Sequence, residues 1–106
     1  MVKIKVSRNG EGYITGIEAN GHSGYAEVGS DIVCAIVSTA VQSVVLCCEE
    51  VHKCEYFADV KDGYLKWYLE SDETAKELNI LTETLCRVLK EAAEEYSSYI
   101  SIKEVK

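Results

Sequence analysis

The chain has 106 residues, 47% hydrophobic and 27% charged, which fits one folded domain over 1–106 and leaves no room for separate catalytic and substrate domains. A formal net charge of −7 argues against nucleic-acid binding, which depends on neutralising phosphates with Lys and Arg, and favours a basic partner. The five cysteines are odd in number and follow no secretion signal, so they read as reduced thiols in a cytoplasmic protein.

Val2, Ile4 and Val6 alternate with Lys3 and Lys5, the period of a half-buried strand. Arg8-Asn9-Gly10-Glu11-Gly12 then forms a turn, and 13–19 returns as the second strand of a hairpin. The spacing predicts a helix from Asp31 to about Glu50, apolar nearly all round and therefore buried on most sides. Its most apolar run, 32–48, is interrupted by Ser38, Thr39, Gln42 and Ser43 and is expected to fall short of a membrane span. A second hairpin, 55–60 and 64–70, turns at Asp62-Gly63, with Leu65, Trp67 and Leu69 on one face. Ser71 or Asp72 caps the next helix, whose apolar stripe includes Leu78, Leu81, Leu85 and Leu89, and 99–105 closes the chain as a strand. The expected fold is α+β: a five-stranded sheet with two helices packed on one face, in the order ββαββαβ. The tyrosines are scattered through strands and read as sheet packing.

Chemistry concentrates in GHSGYAEVGSDIVCAIVS, residues 21–38. Asp31 precedes the apolar helix as an N-cap, which puts Cys34 in the first helical turn, where unpaired N–H groups and the positive end of the helix dipole favour a thiolate. The same N–H groups can bind the oxyanion formed when a carbonyl is attacked. A thiol nucleophile needs a base. In an unbroken helix His52 lies roughly 27 Å from Cys34 at 1.5 Å per residue, whereas His22 can fold back across the glycine-bearing segment. Cys34 and His22 are thus the candidate dyad, and the plain alternative is a buried helix-start cysteine with a surface histidine. Asp31 is either a cap or an orienting carboxylate; Ser38, one turn after Cys34, is either an orienting hydroxyl or a small packing residue. Gly21, Gly24 and Gly29 supply backbone freedom, and no GK[ST] follows them, so nucleotide binding is not expected. Cys47, Cys48, His52 and Cys54 cluster in sequence, but they include no CxxC pair, and neither a metal nor another cofactor is expected.

These residues resemble the ribosomal-processing cysteine protease family known as Prp. The resemblance rests on Gly21-His22, Gly24, the run Gly29-Ser30-Asp31-Ile32-Val33-Cys34-Ala35 and Ser38, and it extends over chain length and element order. Ser23 and Ile36 depart from it, standing where small residues such as Ala are more usual. The resemblance implies a cysteine endopeptidase with Cys34 as nucleophile and His22 as general base. It implies that the substrate is the N-terminal extension of bacterial large-subunit ribosomal protein twenty-seven, cut after an aromatic pair. It further implies a homodimer and a mobile segment over the site; no nucleic acid or membrane partner is expected. Two alternatives to catalysis are a ribosome-associated module that binds the same basic extension without cutting it, and a thiol redox sensor using Cys34.

Overall fold

Alternation of β-branched and charged side chains builds the first hairpin. In the computed structural model, which describes residues 1–22 and 32–105, β1 spans Val2–Arg8 and β2 spans Ile14–Asn20. Val2, Ile4 and Val6 are buried, and Lys3 and Lys5 are exposed. Asn9 organises the turn: its Oδ1 accepts from the N–H groups of Glu11 and Tyr13, both at 3.0 Å. The second hairpin pairs β3 (Phe57–Lys61) with β4 (Tyr64–Tyr68), and β5 is Ile100–Val105.

The five strands form one mixed sheet in the order β3-β4-β2-β1-β5. Both hairpins and the β2/β4 junction are antiparallel, whereas β1 and β5 run parallel. A parallel neighbour needs a crossover connection, which the long C-terminal helix supplies. Leu65, Trp67 and Leu69 lie on one face and are buried, as their alternation predicts. The long helices α1 (Ile32–Leu46) and α3 (Asn79–Glu95) pack side by side against the buried face, and among the described residues no helix lies on the other.

Helix α1 spans Ile32–Leu46 and continues through a π-helical turn, Cys47–Val51. Its core face is Val33, Val37, Ala40, Val41 and Val44. Two expectations about this helix are corrected. It is not buried on most sides, for one sheet and one neighbouring helix cover only one stripe: Ile32, Leu46 and Val51 are 48%, 53% and 77% exposed. Nor does it fall short of a membrane span by length and composition alone, because an 18-residue window within Ile32–Val51 has a mean hydropathy of 2.0. Ser, Thr and Gln at 38, 39, 42 and 43 dilute the run less than charges would.

The single helix expected after Ser71 is two. Ser71 Oγ accepts from Thr74 N–H at 3.2 Å and caps α2 (Asp72–Glu77); Leu78 then leaves helical geometry at φ −91°, ψ 6°, and α3 (Asn79–Glu95) follows it. Arg8 ties the far end of the sheet to α3: its guanidinium meets Glu83 Oε2 and Glu104 Oε1, each at 2.7 Å, and Lys90 Nζ joins Glu104 at 3.2 Å.

Candidate active site

The strand order sets the site. Because β2 pairs with β4, the residues that follow β2 meet the tip of the β3–β4 hairpin. Gly21 N–H donates to Gly63 O at 2.8 Å, which fastens the end of β2 to that tip. Gly21 has φ +104°, and a Cβ there would stand 2.5 Å from Met1 O, so the chain turns at this point only with glycine. His22 is thereby held against Gly63, where a Cβ would stand 2.9 Å from His22 Nε2. The same nitrogen lies 3.8 Å from Asp62 Oδ2. His22 is 46% exposed and Asp62 is 90% exposed, so this pairing operates largely in water.

The start of α1 faces the same hairpin. Cys34 is the third residue of α1, within its first turn, at the positive end of the helix dipole. It is half-buried. Ser38, one turn on, accepts a hydrogen bond from Gln42 Nε2 at 2.7 Å. Together Gly21, His22, Cys34 and Ser38 line one cleft of about 370 Å³. Its apolar walls are Val2, Ala19, Val37, Val60 and Leu65, drawn from four strands and α1. Lys61, Asp62, Gly63 and Tyr64 close it from the hairpin side.

The structure therefore gathers four of the seven residues singled out from sequence. Asp31, Gly24 and Gly29 lie outside the described residues, as does the segment expected to be mobile. The hairpin tip was not anticipated as part of the site. Asp62-Gly63 read only as a turn signal, and no spacing rule links a turn to a histidine so distant in the chain.

The remaining thiols sit elsewhere. Cys48 and Cys86 are buried, and Cys47 and Cys54 are half-buried. Burial pushes the Cys48 thiol up to about 12; the Trp67 indole N–H opposes the shift and the adjacent Cys54 adds to it. Burial also raises Cys86. Neither ionises at neutral pH, so neither suits a nucleophile. His52 lies at the far end of the π turn, with Nε2 3.1 Å from Glu77 Oε1. Among the described residues no three His, Cys, Asp or Glu side chains converge as a metal ion requires.

A helix-start thiol and an imidazole on one cleft with apolar walls can perform acyl transfer on an apolar peptide. Comparison with known proteins agrees. The family model described as cysteine protease Prp matches residues 1–101. The essential ribosomal processing protease Prp from S. aureus, solved with a covalently linked product peptide, superposes with a TM-score of 0.82 at 24% identity, covering 99% of this chain and 100% of that one. Its complex with a substrate peptide gives a TM-score of 0.77 at 24% identity with the same coverage. At that identity the likeness is one of fold. The Streptococcus mutans protein SMU.848 gives 0.80 at 28% identity, covering 99% of this chain and 94% of that one. No curated protein matches the chain.

Proposed function

Because the chain belongs to the cysteine protease Prp family, we propose that Cys34 is its nucleophile, His22 its general base and acid, and a ribosomal protein extension its substrate. The observation that carries this reading is the single cleft shared by His22 and Cys34. In the proposed course His22 accepts the thiol proton and the thiolate attacks the peptide carbonyl carbon. The resulting oxyanion is stabilised by the positive N-terminal end of the α1 dipole. Collapse expels the amine, which takes its proton from His22 and leaves a thioester on Cys34. Water, deprotonated by the same imidazole, releases the acid and restores the thiol.

The apolar walls at Val37, Val60 and Leu65 suit an aromatic side chain just before the cleaved bond. The S. aureus relative is a ribosomal processing protease solved with peptide, which supports, as the substrate here, the N-terminal extension of large-subunit ribosomal protein twenty-seven cut after an aromatic pair. A basic ribosomal protein also suits a chain of net charge −7. A cytoplasmic location follows from such a substrate, and a homodimer would cover the exposed apolar stripe of α1. Family membership sets aside the binding-only and redox-sensor alternatives.

The test is incubation of the purified protein with a peptide spanning the extension, followed by mass spectrometry. Cleavage after the aromatic pair is expected, with Cys34→Ala slower by at least roughly a thousandfold. Wild-type rates in Cys34→Ala would refute the nucleophile; no product from the wild-type protein would refute the substrate.

A further inference from the structure

We propose that the sheet face opposite α1 and α3 is a binding surface for single-stranded RNA. The residues opposite the buried ones in each strand make up this face. The register brings Lys3, Lys5, Lys61, Lys66 and Lys103 onto it, with only Glu18 and Asp59 as acidic residues. It thus holds five of the eleven Lys and Arg residues but two of the eighteen Asp and Glu. A chain of net charge −7 therefore presents one face of net positive charge, a partition that total charge conceals. Glu55 and Glu70 bound it at one margin.

Among the described residues the shortest ion pair within the face is Lys61 Nζ to Asp59 Oδ2 at 3.5 Å. Lys5 and Lys103 are direct register partners on neighbouring parallel strands, like charges side by side, which costs stability unless an anion lies between them. Lys5 reaches Glu18 only at 3.8 Å. Among the described residues Lys3 and Lys103 pair with no carboxylate. A groove of about 280 Å³ runs between Lys5 and Lys66, with Glu18 between them in its lining and Ser7, Thr15 and Tyr68 along its sides.

Aromatic rings lie among these charges. Phe57 and Tyr68 stack at 4.8 Å between centroids and 29° between planes, and Phe57 is 46% exposed. Lys66 Nζ stands 5.4 Å from the Tyr68 ring and Lys61 Nζ 5.4 Å from the Tyr64 ring. Ammonium groups beside rings on one sheet face meet both needs of a single strand, phosphate neutralisation and base stacking, for roughly two or three bases. The surface meets the catalytic cleft only at Lys61 and Tyr64, which line both; Lys5, Lys66, Lys103 and Tyr68 do not line the cleft, so variants at these positions test this reading apart from the catalytic one.

Fluorescence anisotropy of a labelled single-stranded oligouridylate with the full-length protein, over a salt series, tests the proposal. Binding is expected with a slope of log K against log salt of roughly −2 to −3, as about three or four phosphate contacts give. The triple variant Lys5→Glu/Lys66→Glu/Lys103→Glu is expected to lose binding while keeping peptide cleavage, because none of the three lines the cleft. Tyr68→Leu is expected to weaken binding by on the order of tenfold with the salt slope unchanged. Should the triple variant fail to fold, Lys103→Gln alone, reducing the slope by about 0.7, carries the test. No binding at low salt, equal binding by the charge variants, or tighter binding to phosphatidylglycerol vesicles than to the oligonucleotide would each overturn it.

Discussion

Gly63 is the residue on which the site's geometry turns. At φ +72° it adopts a conformation that side chains resist, and a Cβ would press on His22 Nε2 at 2.9 Å. Gly63→Ala is therefore expected to keep the fold and displace the imidazole, lowering kcat for peptide cleavage by on the order of a hundredfold. Asp62→Asn supplies the contrast. Its carboxylate is 90% exposed and 3.8 Å from the ring, so the change in kcat/KM is expected to stay within about fivefold. Steady-state kinetics of both variants, with circular dichroism as the control for folding, check the pair; equal losses would show that charge, not imidazole position, governs the site. Cys34 and His22 were legible in sequence because a helix start and a hairpin end announce themselves locally. Gly63 was not, since its role exists only once β2 lies beside β4.

At the level of elements, α1 carries the main unresolved surface. A helix apolar all round needs cover on all sides, yet one sheet face and α3 cover a single stripe, leaving Ile32, Leu46 and Val51 in water. Docking of two copies through this stripe is the arrangement we propose. Sedimentation velocity is expected to show a dimer at micromolar concentration, and Leu46→Lys/Val51→Lys to shift it to monomer; a monomeric wild-type chain would remove the idea. Helix existence and strand alternation followed from periodicity alone. The break at Leu78 and the π turn at Cys47–Val51 did not, because the apolar spacing runs on through both and only packing decides where the helical geometry changes.

For the whole molecule, the Arg8 network couples stability to pH. Arg8 holds the Glu83 carboxyl below its ordinary value of 4.5, chiefly by the hydrogen bond it donates, and holds Glu104 down with help from Lys90. A carboxylate depressed in the folded state contributes stability that is present above its unfolded value and is lost as pH falls through the folded one. The contribution is thus full above about pH 4.5 and disappears below it. Both carboxylates are more than a third exposed, so solvent screening keeps the effect modest. Arg8→Leu is expected to lower Tm by a few degrees at pH 7, with the gap to wild type narrowing on acidification below pH 4. A gap that stays constant across that range would assign the loss to packing instead.

The sequence by itself determined the strand and helix order apart from the break at Leu78, the alternation that buries Val2, Ile4, Val6, Leu65, Trp67 and Leu69, and the candidate positions of a cysteine near a helix start and a histidine at a hairpin end. Each is written in residues near one another along the chain, where periodicity and capping act. Only the tertiary structure decided the strand order β3-β4-β2-β1-β5, and with it the hairpin tip that closes the cleft and the lysines that collect on the face opposite α1 and α3. Register is a relation between distant segments. A pattern of period two says which residues share a face of one strand, but not which strand lies beside it.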